Sequence, residues 1–167
     1  MINFQFFLRE PAWKIFWLGF LPVLAGSMLG ASAQNIVVSQ LSFLFGIFVE
    51  LAWIYTVSNY LAHRYADRVD VPIQKLNAVL AIVAVYYLLA VPGMIPEQMG
   101  RPAFLLVVVL SFYYTYFLAR LLVMAEKERN VTVKEYLPTA VMIFFWAIGI
   151  WFLQPRIRRI YSNLRLL

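Results

Sequence analysis

Long apolar runs alternate with short polar stretches along this chain, on the length scale of a bilayer. The runs cover residues 12–33, 36–62, 75–95, 103–125 and 138–153. Each of the first four is long enough to cross a hydrocarbon core of roughly 30 Å as a helix, which takes about 20 residues. Polar punctuation separates them: Gln34 and Asn35, the charged stretch His63–Asp70, the segment Pro96–Pro102, and Glu126–Asn130. A segment inside lipid must satisfy its own backbone hydrogen bonds, so these runs are expected to be α-helices. The pattern predicts an all-α integral membrane bundle forming one domain over residues 1–167.

The fifth run differs from the others. It is short, it lies between Pro138 and Pro155, and an arginine-rich tail follows at residues 155–167. Thr132-Val-Lys-Glu135 has the S/T-x-x-E spacing of a capping box and is expected to start its helix. Five full crossings would put nine basic residues on one side and five on the other, counting the tail arginines with Arg101. If the last run enters and returns, thirteen basic residues share one side and Arg101 stands alone opposite. The excess of Lys and Arg on the cytoplasmic side favours the second arrangement. The expectation is four transmembrane helices plus a partial, re-entrant segment turning near Gly149, with five transmembrane helices as the alternative. Both termini then lie on the cytoplasmic side. From Pro155 the tail reads as a short amphipathic helix lying flat in the interface. Arg156, Arg158, Arg159 and Arg165 would meet lipid headgroups, and Ile157, Ile160, Tyr161 and Leu164 the acyl boundary.

Composition sharpens this picture. Hydrophobic residues make up 63% of the chain and charged residues 13%, far from the balance of soluble domains. The net charge of +6 reads as orientation signals flanking membrane segments, not as a nucleic-acid surface. The chain has no cysteine, which excludes disulfides and thiolate chemistry, and one histidine, His63, which excludes a multi-histidine metal or haem site in one copy. No nucleophile elbow, zinc-binding helix or phosphate loop is present. Neither an enzyme nor a cofactor is expected.

Within the spans a few residues stand out. The first run also has the look of a signal peptide ending in Ala31-Ser32-Ala33, but its apolar stretch exceeds a usual signal core, so it is expected to be retained, kinked at Pro22. Gly26 and Gly30 have the small-xxx-small spacing that lets helices approach closely. Glu50 lies in the middle of the second run, on one side with Ser39, Ser42, Gly46 and Trp53. An intramembrane carboxylate is costly and is a site candidate for that reason. Arg120 is its one candidate partner within the spans. Counted from the charged ends, Glu50 is roughly 19 Å deep and Arg120 roughly 9 Å, so Arg120 is expected to reach for the interface.

Three further pieces carry a resemblance: Pro11-Ala-Trp13; Ala119-Arg120-x-Leu122 with Glu126, Arg129 and Val131-Thr132; and Gly149-Ile-Trp-Phe-Leu-Gln-Pro-Arg-Ile157. Through them the chain resembles small, uncharacterised multi-helix inner-membrane proteins of Bacteroidota-type bacteria. Such proteins often carry proline where this chain has Ala147. The resemblance implies a bacterial inner membrane and no known activity. The reading as a whole is a non-catalytic accessory or scaffold subunit, in contact with the bilayer and with other membrane subunits or copies of itself. The alternative is a small carrier or ligand-binding protein using Glu50.

Overall fold

A computed structural model describes residues 5–32, 35–64 and 73–163, with the backbone alone for Glu97 and Asn163. Its helices are α1 (Phe6–Arg9), α2 (Ala12–Ser32), α3 (Ile36–Arg64), α4 (Ile73–Ala90), α5 (Glu97–Lys127), α6 (Val133–Phe144) and α7 (Trp146–Asn163), with no strand among the described residues. Four of them, α2 to α5, are long and apolar enough to cross a membrane. Their outer faces leave Leu21, Met28, Ile36, Leu41, Leu105 and Val109 exposed. Water would disfavour such a surface, whereas lipid tails match it. The protein is an all-α membrane bundle of four spans.

Helix ends follow local chemistry. Asn35 opens α3, its side-chain oxygen accepting from the Val37 N–H at 3.1 Å. Helix α4 stops at Ala90, short of the expected Ile95. Pro92 has no N–H to continue the ladder, and Gly93 takes the left-handed backbone (φ +74°) while the Met94 N–H closes onto the Leu89 carbonyl. Helix α5 starts at Glu97, earlier than expected, and carries Pro102 within its second turn. The capping box at Thr132 forms: the Thr132 N–H donates to the Glu135 carboxylate at 2.8 Å.

The C-terminal part is a hairpin. Helix α6 breaks at Phe145 (φ −93°, ψ +56°) and α7 runs back beside it. Arg156 Nη1 donates to Thr139 Oγ1 at 3.1 Å, and Gly149 packs directly on the backbone of Met142. Twelve residues of α6 rise about 18 Å, too short to span. The hairpin tip stops inside the bundle, where Phe144 stacks on Phe112 of α5 at 5.1 Å and Trp146 packs on Gly19 of α2.

Two details differ from expectation. Pro138 and Pro155 bound no helix, for α6 begins at Val133 and α7 runs unbroken through Pro155. The tail up to Asn163 is therefore the second arm of the hairpin and not a separate flat helix. Its Ile157, Ile160 and Tyr161 are buried in the protein core instead of facing outward. Leu164 and Arg165 lie outside the described residues.

The hairpin makes the bundle uneven. Ile150, Leu153 and Ile157 fill the end that holds both arms, against Trp53, Leu61 and Leu122. On α3, every buried residue falls from Val49 onward, and on α4 none lies beyond Val83. The other end is held by the α2–α3 pair, whose contact is built on glycine.

Candidate functional site

Small residues set the α2–α3 contact. A Cβ at Gly26 would collide with the side chain of Ser42, one at Gly30 would come within 2.9 Å of Ser39 Cβ, and one at Gly46 would meet Val23. Gly26, Gly30 and Gly46 thus lie where two helices approach most closely, which is the physical use of small residues in lipid.

Glu50 stands at the level where large-side-chain packing begins, one residue after Val49. It is half-buried and has no hydrogen-bond or ion-pair partner among the described residues. Tyr87 on α4 and Tyr114 on α5 lie within electrostatic range of it. Three helices thus bring one carboxyl and two phenol hydroxyls to a similar level of the bundle. Such a cluster accepts a cation or a hydrogen-bond donor, and no cationic side chain among the described residues supplies one. Arg120 belongs elsewhere. It is exposed on α5, and its charge acts on Tyr136 of α6. The structure does not join it to Glu50.

The most connected of the fully buried polar side chains among the described residues is one that sequence reasoning passed over. Gln154 of α7 is fully buried. Its oxygen accepts from Trp53 Nε1 at 2.9 Å, and its nitrogen donates to the carbonyls of Phe7 at 2.7 Å and Glu10 at 2.9 Å. The available signal was its place as the lone polar residue before Pro155, in an otherwise apolar run.

The arginines divide into two groups. Arg156 grips the Glu126 carboxylate with two nitrogens and so ties α7 to the end of α5. Arg158 and Arg159 are exposed. At the start of α6, Glu135 takes Lys127 and Arg129 together with its capping bond to Thr132. Lys127 first, then the Thr132 N–H and Arg129, hold its carboxyl well below the usual carboxylate range.

Two cavities are relevant. An apolar groove of about 340 Å³ lies between α5 and α6, lined by Phe112, Tyr116, Leu137, Val141 and Phe144. Thr115 Oγ1 borders it, buried and without a hydrogen-bond partner among the described residues. A second cavity of about 530 Å³ opens between α1 and α7 and is lined by Arg9, Arg158, Arg159 and Tyr161. Among the described residues no three His, Asp or Glu side chains converge as a metal site would require.

No family model matches the chain, and neither a curated protein nor a solved structure matches it. Its function has to be argued from its own geometry.

Proposed function

We propose that this chain is a non-catalytic subunit of a larger membrane assembly, and that Glu50 is the group through which it recognises its neighbour. The observation that carries this reading is Glu50 itself, half-buried at mid-depth with no counter-charge among the described residues. A carboxyl group in lipid needs a donor. The complementary partner is a membrane helix carrying Lys, Arg or a hydrogen-bonding side chain at the same depth. In this reading the chain sits in a bacterial inner membrane with its basic end, which holds both arms of the hairpin, toward the cytoplasm.

A photoreactive residue at Leu88, exposed on α4 beside Tyr87, tests this in native membranes. The expected result is a cross-link to a second polypeptide that persists in Glu50→Gln and disappears in Glu50→Leu. Cross-links to lipid alone, identical in all three proteins, would overturn it.

The nearness of Tyr87 and Tyr114 to Glu50 favours a second reading, a small carrier that takes a cationic ligand at the same place. Glu50-dependent binding of a small organic cation by the purified chain, with no cross-linked polypeptide, would decide for it.

A further inference from the structure

We infer that the cavity between α1 and α7 is a binding site for a phosphate-bearing anion at the membrane surface. Its walls include three arginines from two distant parts of the chain: Arg9 from α1, and Arg158 and Arg159 from α7. Among the described residues none of the side chains lining it is acidic. The nearest carboxylate in sequence, Glu10, is taken by Lys14 at 2.6 Å. Arg156, one turn away, is neutralised by Glu126, whereas Arg158 and Arg159 have no acidic partner among the described residues. Repulsion between such charges is tolerable where an anion resides between them.

The site is also built, not merely charged. Gln154 fastens α1 to α7 through the Phe7 and Glu10 carbonyls. Leu8 is buried beneath the cavity and lines it. Arg9 is held in place: its Nε donates to Tyr161 Oη at 3.1 Å, an Nη donates to Gln5 Oε1 at 2.7 Å, and the guanidinium lies 5.8 Å from the centre of the Tyr161 ring. A pre-positioned guanidinium loses little freedom on meeting a phosphate, and its planar fork matches phosphate oxygens. The volume of about 530 Å³ suits a headgroup or a small organophosphate. Trp13, shortly after Arg9 in the chain, is exposed, as aromatic side chains at the lipid–water boundary are. Two sources share this chemistry, the phosphodiester of an acidic lipid and a soluble phosphate compound.

The test uses purified full-length protein in detergent, probed by native mass spectrometry with phosphatidylglycerol, phosphatidylcholine and inorganic pyrophosphate. The wild-type protein is expected to retain phosphatidylglycerol or pyrophosphate. The triple variant Arg9→Gln, Arg158→Gln, Arg159→Gln should lose about tenfold or more of that retention. Arg101→Gln, a cation outside this site, should retain as the wild type does. Arg9→Lys keeps the charge but loses the fixed fork, and should weaken binding while leaving thermal unfolding close to wild type. Retention of phosphatidylglycerol without pyrophosphate assigns the site to lipid, and the reverse assigns it to a soluble phosphate. Equal retention of phosphatidylcholine and phosphatidylglycerol with no pyrophosphate bound, or equal losses in the triple variant and Arg101→Gln, would overturn the site. Cross-linking at Leu88 is independent of this outcome, so the two proposals fail separately.

Discussion

One side-chain amide, that of Gln154, ties α7 to two other pieces of chain, Trp53 of α3 and the carbonyls of Phe7 and Glu10 at α1. Replacing it by leucine keeps the bulk but strands an indole N–H and two carbonyls in a buried place. Each stranded group costs about 1–3 kcal/mol, so Gln154→Leu should lower unfolding stability in mixed micelles by roughly 3 kcal/mol or more. Ser27→Ala, on an exposed face, should stay within about 0.5 kcal/mol of wild type. Glu135 makes a different kind of prediction. Its carboxyl is held below its ordinary value of 4.5, so it stabilises the fold at pH above that value. This contribution should fade as the pH falls through the lower folded value. Glu135→Gln should therefore narrow the stability gap to wild type on acidification, as read by thermal unfolding across the acid range. Glu50 was legible in the sequence because a carboxylate amid apolar residues is conspicuous. Gln154 was not, because a neutral amide is unremarkable, and its partners, an indole and two backbone carbonyls, lie 101 to 147 positions away.

At the scale of the element, the hairpin shows how a glycine can be read correctly as special and wrongly as a turn. The backbone reverses at Phe145, and Gly149 lies one turn later, against the Met142 carbonyl. Backbone cannot step aside as a side-chain tip can, so Gly149→Ala should force the two arms apart. A loss of about 1–3 kcal/mol or more is expected. Gly100→Ala, with open space around it, should leave stability unchanged or slightly raised. Thermal unfolding of the two variants side by side checks both. The four spans were legible from length and hydropathy alone, since a bilayer fixes those quantities. The positions of Pro138 and Pro155 misled, because proline removes one hydrogen bond without ending a helix whose other bonds and packing persist. The apolar stripe of Ile157, Ile160 and Tyr161 has the same periodicity whether it faces lipid or protein, so its burial against α1 and α3 could not be read from spacing.

For the whole molecule, the contacts Arg9–Tyr161 and Arg156–Glu126 place α1, the end of α5 and the end of α7 at one face of the bundle. Single cysteines introduced at Lys14 and Ser162 should share their accessibility to a membrane-impermeant reagent, and a cysteine at Met94 should show the opposite. Matching accessibility of Met94 and Ser162 would contradict the hairpin. The same contacts impose an order in time. During synthesis the four spans are made before α7 emerges, and until then Trp53 and the carbonyls of α1 lack the amide that joins them. The nascent bundle is thus a set of staves still waiting for the hoop that α7 supplies. A chain stalled or cut before Trp146 should be inserted yet be cleared rapidly by membrane proteases, so that cellular quality control reads the arrival of α7 as the mark of a joined bundle.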